Sequence, residues 1–262
     1  MHPGRLFAAA ALALVLSGTA AAQPAPHVVL VRPSAPEVPA NLLRISIEFA
    51  EPVEGPVLPR IALVRADGRP IREPFLQQEL WSPNGRILTV MMHPGRVKTG
   101  LNAREEMGPI LALGDEVALA LDGRPIQRWI VGAAREDGPV PSAWKLSPIS
   151  VASKQALVVA LDGPIDGRDA DYLAIADSRN RRVDGRAQLK DGERVWTFTP
   201  SVPWRAGQYQ LVVRGTLEDP AGNRLGGHFE TAMDNPPGPA ADAVITFAVG
   251  SRPFRLVRSS IR

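Results

Sequence analysis

Residues 43–49, LRISIEF, alternate without a break: Leu43, Ile45, Ile47 and Phe49 against Arg44, Ser46 and Glu48. A period of two is the mark of a strand with one face buried and the other wet. The same kind of short run recurs along the chain between turn signals: RIALVRADGRPI at 60–71, RILTVMM at 86–92 after Asn84-Gly85, EVALALDGRPI at 116–126, QALVVALDGPI at 155–165, RVWTFTPSVPW at 194–204 and AVITFAV at 243–249. No segment holds a long 3.6-residue period with caps, and AREEMGPIL at 103–111 offers one helical turn at most. The 26 prolines and 23 glycines fall between the runs, where they punctuate short strands, and a 45% apolar content excludes disorder. The chain is therefore expected to be all-β, a sandwich of short strands.

The runs also repeat. LLRISIEFAEPVEG at 42–55 matches QALVVALDGPIDG at 155–167. RIALVRADGRPI matches YLAIADSRNRRV, SPNGRILTVMMHP matches KDGERVWTFTPSVP, and GDEVALALDGRPI matches AGQYQLVVRGTLEDPAGNRL. Four units in one order predict a duplicated domain. The expected plan has a signal peptide over 1–22 and a Pro-rich N-terminal segment over 23–40. Domain 1 follows over 41–134, a linker over 135–147, domain 2 over 148–250 and a basic tail over 251–262.

The N-terminus carries the signs of export. Arg5 precedes an apolar run from Leu6 to Leu16, and Ala20-Ala21-Ala22 forms an A-x-A cleavage site. The run is too short for a bilayer-spanning helix of roughly 20 residues, and the mature chain has no other candidate span. An exported, periplasmic or cell-surface protein is expected. With no cysteine there is no disulfide framework, thiol nucleophile or Cys-ligated metal, so each domain must be held by its core. The 30 basic and 27 acidic residues leave a charge of only +3, with Arg scattered rather than clustered, which excludes a nucleic-acid footprint.

The stretch GQYQLVVRGTLEDPAGNRL at 207–225, read as Gly-x-Tyr-x-Leu-x-Val followed by Asp-x-Ala-Gly-Asn-x-Leu, resembles the bacterial Ig-like domains of secreted and surface-layer proteins, as does WTFTPSVPWRAG upstream. The first half has LDGRPI where that family carries D-x-x-G-N, so the match is looser there. The resemblance implies two Ig-like β-sandwich domains in tandem, used as a non-catalytic spacer or interaction module of the envelope, with an envelope protein or surface ligand as partner and no cofactor.

In the Asp219–Asn223 corner, Asp-Pro starts a turn, Gly222 permits positive φ and Asn223 suits an Asx-turn, so each has a structural role. Glu218, Asp219 and Asn223 are too few for calcium, which takes six to eight oxygens. Met91, Met92 and His93 form the candidate metal set, for copper, with His27 and His228 as further ligands. The loop at 95–109 is the candidate ligand or partner site: Arg96 and Lys98 suit a carboxylate or phosphate, and Arg104, Glu105 and Glu106 accompany them. An enzyme is not expected. There is no G-x-S-x-G, and Glu105, Glu106, Asp115 and Glu116 read as a solvated loop rather than a glycosidase pair. The five tryptophans, Trp81, Trp129, Trp144, Trp196 and Trp204, are core, a seam between the domains, or the platform of a carbohydrate-binding module. Trp129 and Trp144 flank the linker and are expected at the seam.

Overall fold

The computed structural model describes residues 26–98, 102–225 and 241–250. The signal-peptide reading, the basic tail and His228 lie outside the described residues.

The first half folds as β1 (Val28–Arg32), β2 (Glu37–Pro39), β3 (Arg44–Phe49), β4 (Ile61–Arg65), β5 (Phe75–Trp81), β6 (Ile87–Met92), α1 (Pro94–Val97), α2 (Asn102–Met107), β7 (Glu116–Leu121) and β8 (Arg124–Gly132). One sheet has the order β1-β3-β6-β5 and the facing sheet β2-β8-β7-β4, with β2 parallel to β8. The second half folds as β9 (Lys145–Leu146), β10 (Leu157–Ala160), β11 (Leu173–Asp177), β12 (Gly185–Lys190), β13 (Val195–Pro200), β14 (Gly207–Val213) and β15 (Ala243–Val249). Its sheets are β12-β13-β10-β9 and β11-β14-β15. Lettered along the chain, each half pairs an A-B-E-D sheet with a C-F-G sheet, which is the strand order of an immunoglobulin-type sandwich. The fold is all-β, with two Ig-like sandwiches in tandem. The four matched sequence units occupy equivalent strands: β3 with β10, β4 with β11, β6 with β13 and β7 with β14. The N-terminal stretch contributes two strands to the first sandwich, β1 and β2, because its apolar residues Val31 and Val38 enter that core.

Turn chemistry closes the hairpins as the residues dictate. Asp122 and Gly123 both have positive φ and join β7 to β8 in a two-residue loop, the conformation that Asp-Gly favours. Each sandwich has its own core. Ile45, Ile47, Phe49, Leu63, Leu88, Val90, Leu119 and Trp129 fill the first, and Leu157, Ile175, Trp196, Phe198, Trp204, Leu211 and Phe247 the second.

The expected aromatic seam is corrected by this packing. Trp129 is buried in the first core and donates its indole N–H to the Pro33 carbonyl at 3.0 Å. Trp144 is buried in the second core and donates to Asp162 at 2.6 Å. Both flank the linker in sequence, but each side chain turns back into its own domain, where an apolar body is buried and the N–H still finds an acceptor.

Candidate functional site

The seam between the domains is polar. Arg44 and Ser46 alternate out of the first core on β3, and Thr89 lies across from Ser46 on β6. Their face meets two segments at one end of the second sandwich: the loop 161–172 between β10 and β11, and the turn after β14. Ser46 and Thr89 are consequently 6% and 2% exposed, and their hydroxyls bond each other at 3.0 Å. Arg44 pairs through Nε with Asp166 at 3.1 Å and through Nη2 with Glu218. The backbone N–H of Leu43 donates to the Pro220 carbonyl at 2.9 Å, a main-chain bond between domains.

A second contact lies at Glu193, whose side chain is 1% exposed. It accepts from Arg32 Nη1 at 2.7 Å, from the Ser34 hydroxyl at 2.7 Å and from the Ser34 N–H at 2.9 Å. Glu193→Gln keeps the shape but turns an N–H2 toward one of these donors. The expected loss is ~1–3 kcal/mol, below the figure for a fully buried pair because Arg32 keeps some solvent. Thermal unfolding checks it; an unchanged melting temperature would show the contact to be idle.

The linker is fastened from both sides. Asn41 in the first domain exchanges two hydrogen bonds with the backbone of Arg135, at 2.8 and 2.9 Å. From the second domain, Asn223 Nδ2 donates to the Arg135 carbonyl at 3.0 Å, and Arg135 Nε donates to Asp219 at 3.1 Å. Gly138 runs so close to the Arg224 carbonyl that a Cβ there would collide with it.

The Asp219–Asn223 corner is thus structural in two senses. Asp219 is 0% exposed, and its Oδ1 accepts the N–H groups of Ala221 and Asn223, each at 2.9 Å. Gly222 has φ +85°, as the turn requires. The closing side chain is that of Asp219, while Asn223 reaches out to the linker. Burial pushes the Asp219 carboxyl up, opposed by the donors from Asn223 and Arg135.

Asp169, 4% exposed beside this seam, accepts the Glu218 N–H at 2.9 Å. Its carboxyl is pushed up to about 7, first by burial and then by the neighbouring charge of Asp166. A carboxyl that holds its proton more tightly when folded stabilises the protein at low pH, and that contribution is lost as pH rises through the folded value. Between roughly pH 4 and 7 the melting temperature of the wild type is expected to fall relative to that of Asp169→Asn, whose side chain does not titrate. Parallel profiles for the two proteins would contradict the assignment.

The arginines singled out in the 95–109 loop are engaged on backbone. Arg96 is buried, and its guanidinium donates to the carbonyls of Gly108 at 3.0 Å, Glu73 at 3.2 Å and Arg72. Burial lowers its pKa. Arg104 Nη1 donates to the Arg96 and Val97 carbonyls at 3.0 and 2.8 Å and so caps α1. Lys98 ends α1, its N–H on the Pro94 carbonyl. Glu105 and Glu106 alone are exposed, on α2. Among its described residues the loop holds two short helices, and the guanidinium groups of Arg96 and Arg104 are engaged on backbone carbonyls.

Met92 is inside the first core, Met91 is half-buried on the opposite face of β6, and His93 stands at the N-terminus of α1. His27 pairs with Ala50 at the far end of β3, while Met91 pairs with Arg44 at the near end, so the structure does not bring His27 to His93. No group of three or more His, Asp or Glu forms a metal site among the described residues. A copper titration is expected to move the melting temperature equally in wild type and His93→Ala, since a ligand specific to the native site would shift only the former. A shift confined to the wild type would place copper at Met91, Met92 and His93. Of the five tryptophans only Trp81 is half-buried rather than buried, so the flat aromatic platform of a carbohydrate-binding module is not assembled.

No family model and no curated protein matches the chain. Among solved structures, a chimeric titin Z1Z2 carrying a decorin peptide aligns at 8% identity over 86% of this chain and 97% of that one, with a TM-score of 0.28. The N-terminal Ig1-2 module of Drosophila receptor protein tyrosine phosphatase DLAR aligns at 14% identity over 75% and 91%, with a TM-score of 0.22. Murine CEACAM1b aligns at 8% identity over 86% and 98%, with a TM-score of 0.23. These superpositions are loose, and the assignment of the fold rests on the strand order of the two sandwiches.

Proposed function

We propose that the chain is an exported, non-catalytic Ig-like tandem of the bacterial envelope that works as a structural or protein-binding module with a fixed angle between its domains. The observation that carries this reading is the seam. Arg44, Glu193, Arg135, Asp219 and Asn223 hold the domains and the linker together, and most of these polar atoms are buried. Interfaces between domains of one chain are loose by default, and a partly buried ionic network with a backbone bond across it opposes that looseness. The most elaborate polar side chains, Arg96 among them, are likewise engaged in holding backbone, which supports a role in architecture rather than chemistry. No helix among the described residues is long and apolar enough to cross a membrane. The N-terminal A-x-A pattern supports export.

The test has two parts. N-terminal sequencing of the protein from a fractionated bacterial host is expected to begin at Gln23 in the exported fraction; an uncut chain retained inside overturns export. Residual dipolar couplings are expected to fit one alignment tensor for both domains of the wild type and two for an Arg44→Ala, Glu193→Gln variant. Independent tensors in the wild type overturn the fixed angle.

A further inference from the structure

The seam covers only part of the sheet face on which it rests. Beside the row of Arg32, Ser46 and Thr89, the next row of the same face is Leu30, Glu48 and Ile87, with Glu48 of β3 directly opposite both neighbours. The loop 161–172 of the second domain stands beside this row with Arg168 and Asp171. Sheet face and loop enclose a cleft of about 370 Å3. Proteins hold ligands in clefts of ~300–1,000 Å3, and preferentially where two domains meet. The cleft is also shaped in advance, because the ion pairs Arg32–Glu193 and Arg44–Asp166 fasten its floor to its wall.

The charges inside it are not balanced. Both arginines of the lining are engaged, Arg32 on Glu193 at 2.7 Å and Arg168 on Asp166 at 3.6 Å. The two acids of the lining, Glu48 and Asp171, have no hydrogen bond or ion pair among the described residues. Glu48 is half-buried, with Leu30 on one side and Ile87 on the other. A half-buried carboxylate has given up part of its hydration, and two like charges in one cleft repel each other. A cation relieves both. The apolar neighbours of Glu48 suit the aliphatic stem on which a side-chain cation is carried.

We propose that this cleft takes a lysine or arginine side chain of a protein partner, with its stem along Leu30 and Ile87 and its charged head between Glu48 and Asp171. The lining comes from one sheet face and one loop, so a group that enters can stay attached to a larger body. The bound side chain touches both domains, and the partner thereby recognises the two sandwiches at their fixed angle. The inference deepens the protein-binding role proposed above and rests on it.

A nuclear magnetic resonance titration of the isotope-labelled chain tests it. An N-acetylated, C-amidated Leu-Lys-Leu peptide is expected to give saturable shifts at the amides of Leu30, Glu48, Ile87 and residues 168–171. Its norleucine counterpart keeps the stem and lacks the charge. It is expected to bind about 5-fold more weakly, the larger end of what one partly exposed ion pair contributes. Glu48→Gln and Asp171→Asn should each weaken the lysine peptide by a similar factor at an unchanged melting temperature, since neither side chain holds the fold. Glu105→Gln on α2 should leave binding as it is. n-Butylamine, the lysine stem and charge alone, is expected to bind more weakly than the peptide; equal or tighter binding assigns the cleft to a free amine and overturns the protein partner. Absence of saturable shifts, shifts outside the cleft, or an affinity indifferent to norleucine and to both cleft substitutions overturns the proposal. Any of these failures in a protein whose couplings still fit one alignment tensor removes the cleft alone and leaves the fixed angle standing.

Discussion

Asp219→Ala is expected to be among the most damaging single substitutions in the chain, at ~3–5 kcal/mol, the range for removing one partner of a buried charged network. Asp219 is fully buried, and it accepts from the Ala221 and Asn223 N–H groups, from Asn223 Nδ2 at 3.1 Å and from Arg135 at 3.1 Å. Alanine leaves the two backbone donors without a partner at a site water does not reach, and an unsatisfied buried donor costs far more than a hydrogen bond contributes when made. It also releases Arg135, and with it one of the fastenings of the linker. The melting temperature should fall by on the order of 10 °C. Asp219→Asn should fall between: its amide oxygen can still accept the turn N–H groups, while its N–H2 faces the Arg135 guanidinium, donor against donor. Near-native stability for both variants would show that the corner holds its shape without this side chain.

Arg96→Ala is the second large effect, at ~3–4 kcal/mol, from unsatisfied carbonyls together with the cavity left by a buried side chain. The guanidinium joins the chain before β5, at Arg72 and Glu73, to the end of α2 at Gly108. Its planar fork reaches acceptors on two segments at once, which an ammonium cannot. Arg96→Lys should therefore recover only part of the loss. Chemical denaturation measures both variants. If Arg96 were instead a ligand-binding residue, the alanine variant would unfold like the wild type and lose a partner instead.

These two residues mark how far the sequence could be read. The Asp219 corner was legible because its meaning is local: Asp-Pro, Gly at positive φ and Asn within five residues specify a turn whatever surrounds it. Arg96 was not, because its acceptors lie 12, 23 and 24 residues away in sequence. A cation in a polar loop has the same sequence appearance whether it faces water or three backbone carbonyls. Trp129 and Trp144 were misplaced for a related reason, since position beside a linker says nothing about which way a ring turns.

The strands, their turns, the duplication and hence the double sandwich were determined by the sequence itself, because a period of two and the chemistry of Gly, Pro, Asp and Asn act over neighbouring residues. Alternation also placed Arg44, Ser46 and Glu48 on the outer face of β3. Only the tertiary structure decided that on this face Ser46 is buried and Arg44 half-buried, under loops of the other domain, with Arg44 paired to Glu218 across 174 residues of chain. Periodicity sorts side chains onto faces. What covers a face depends on contacts between distant segments, and those are set by the packing of whole domains.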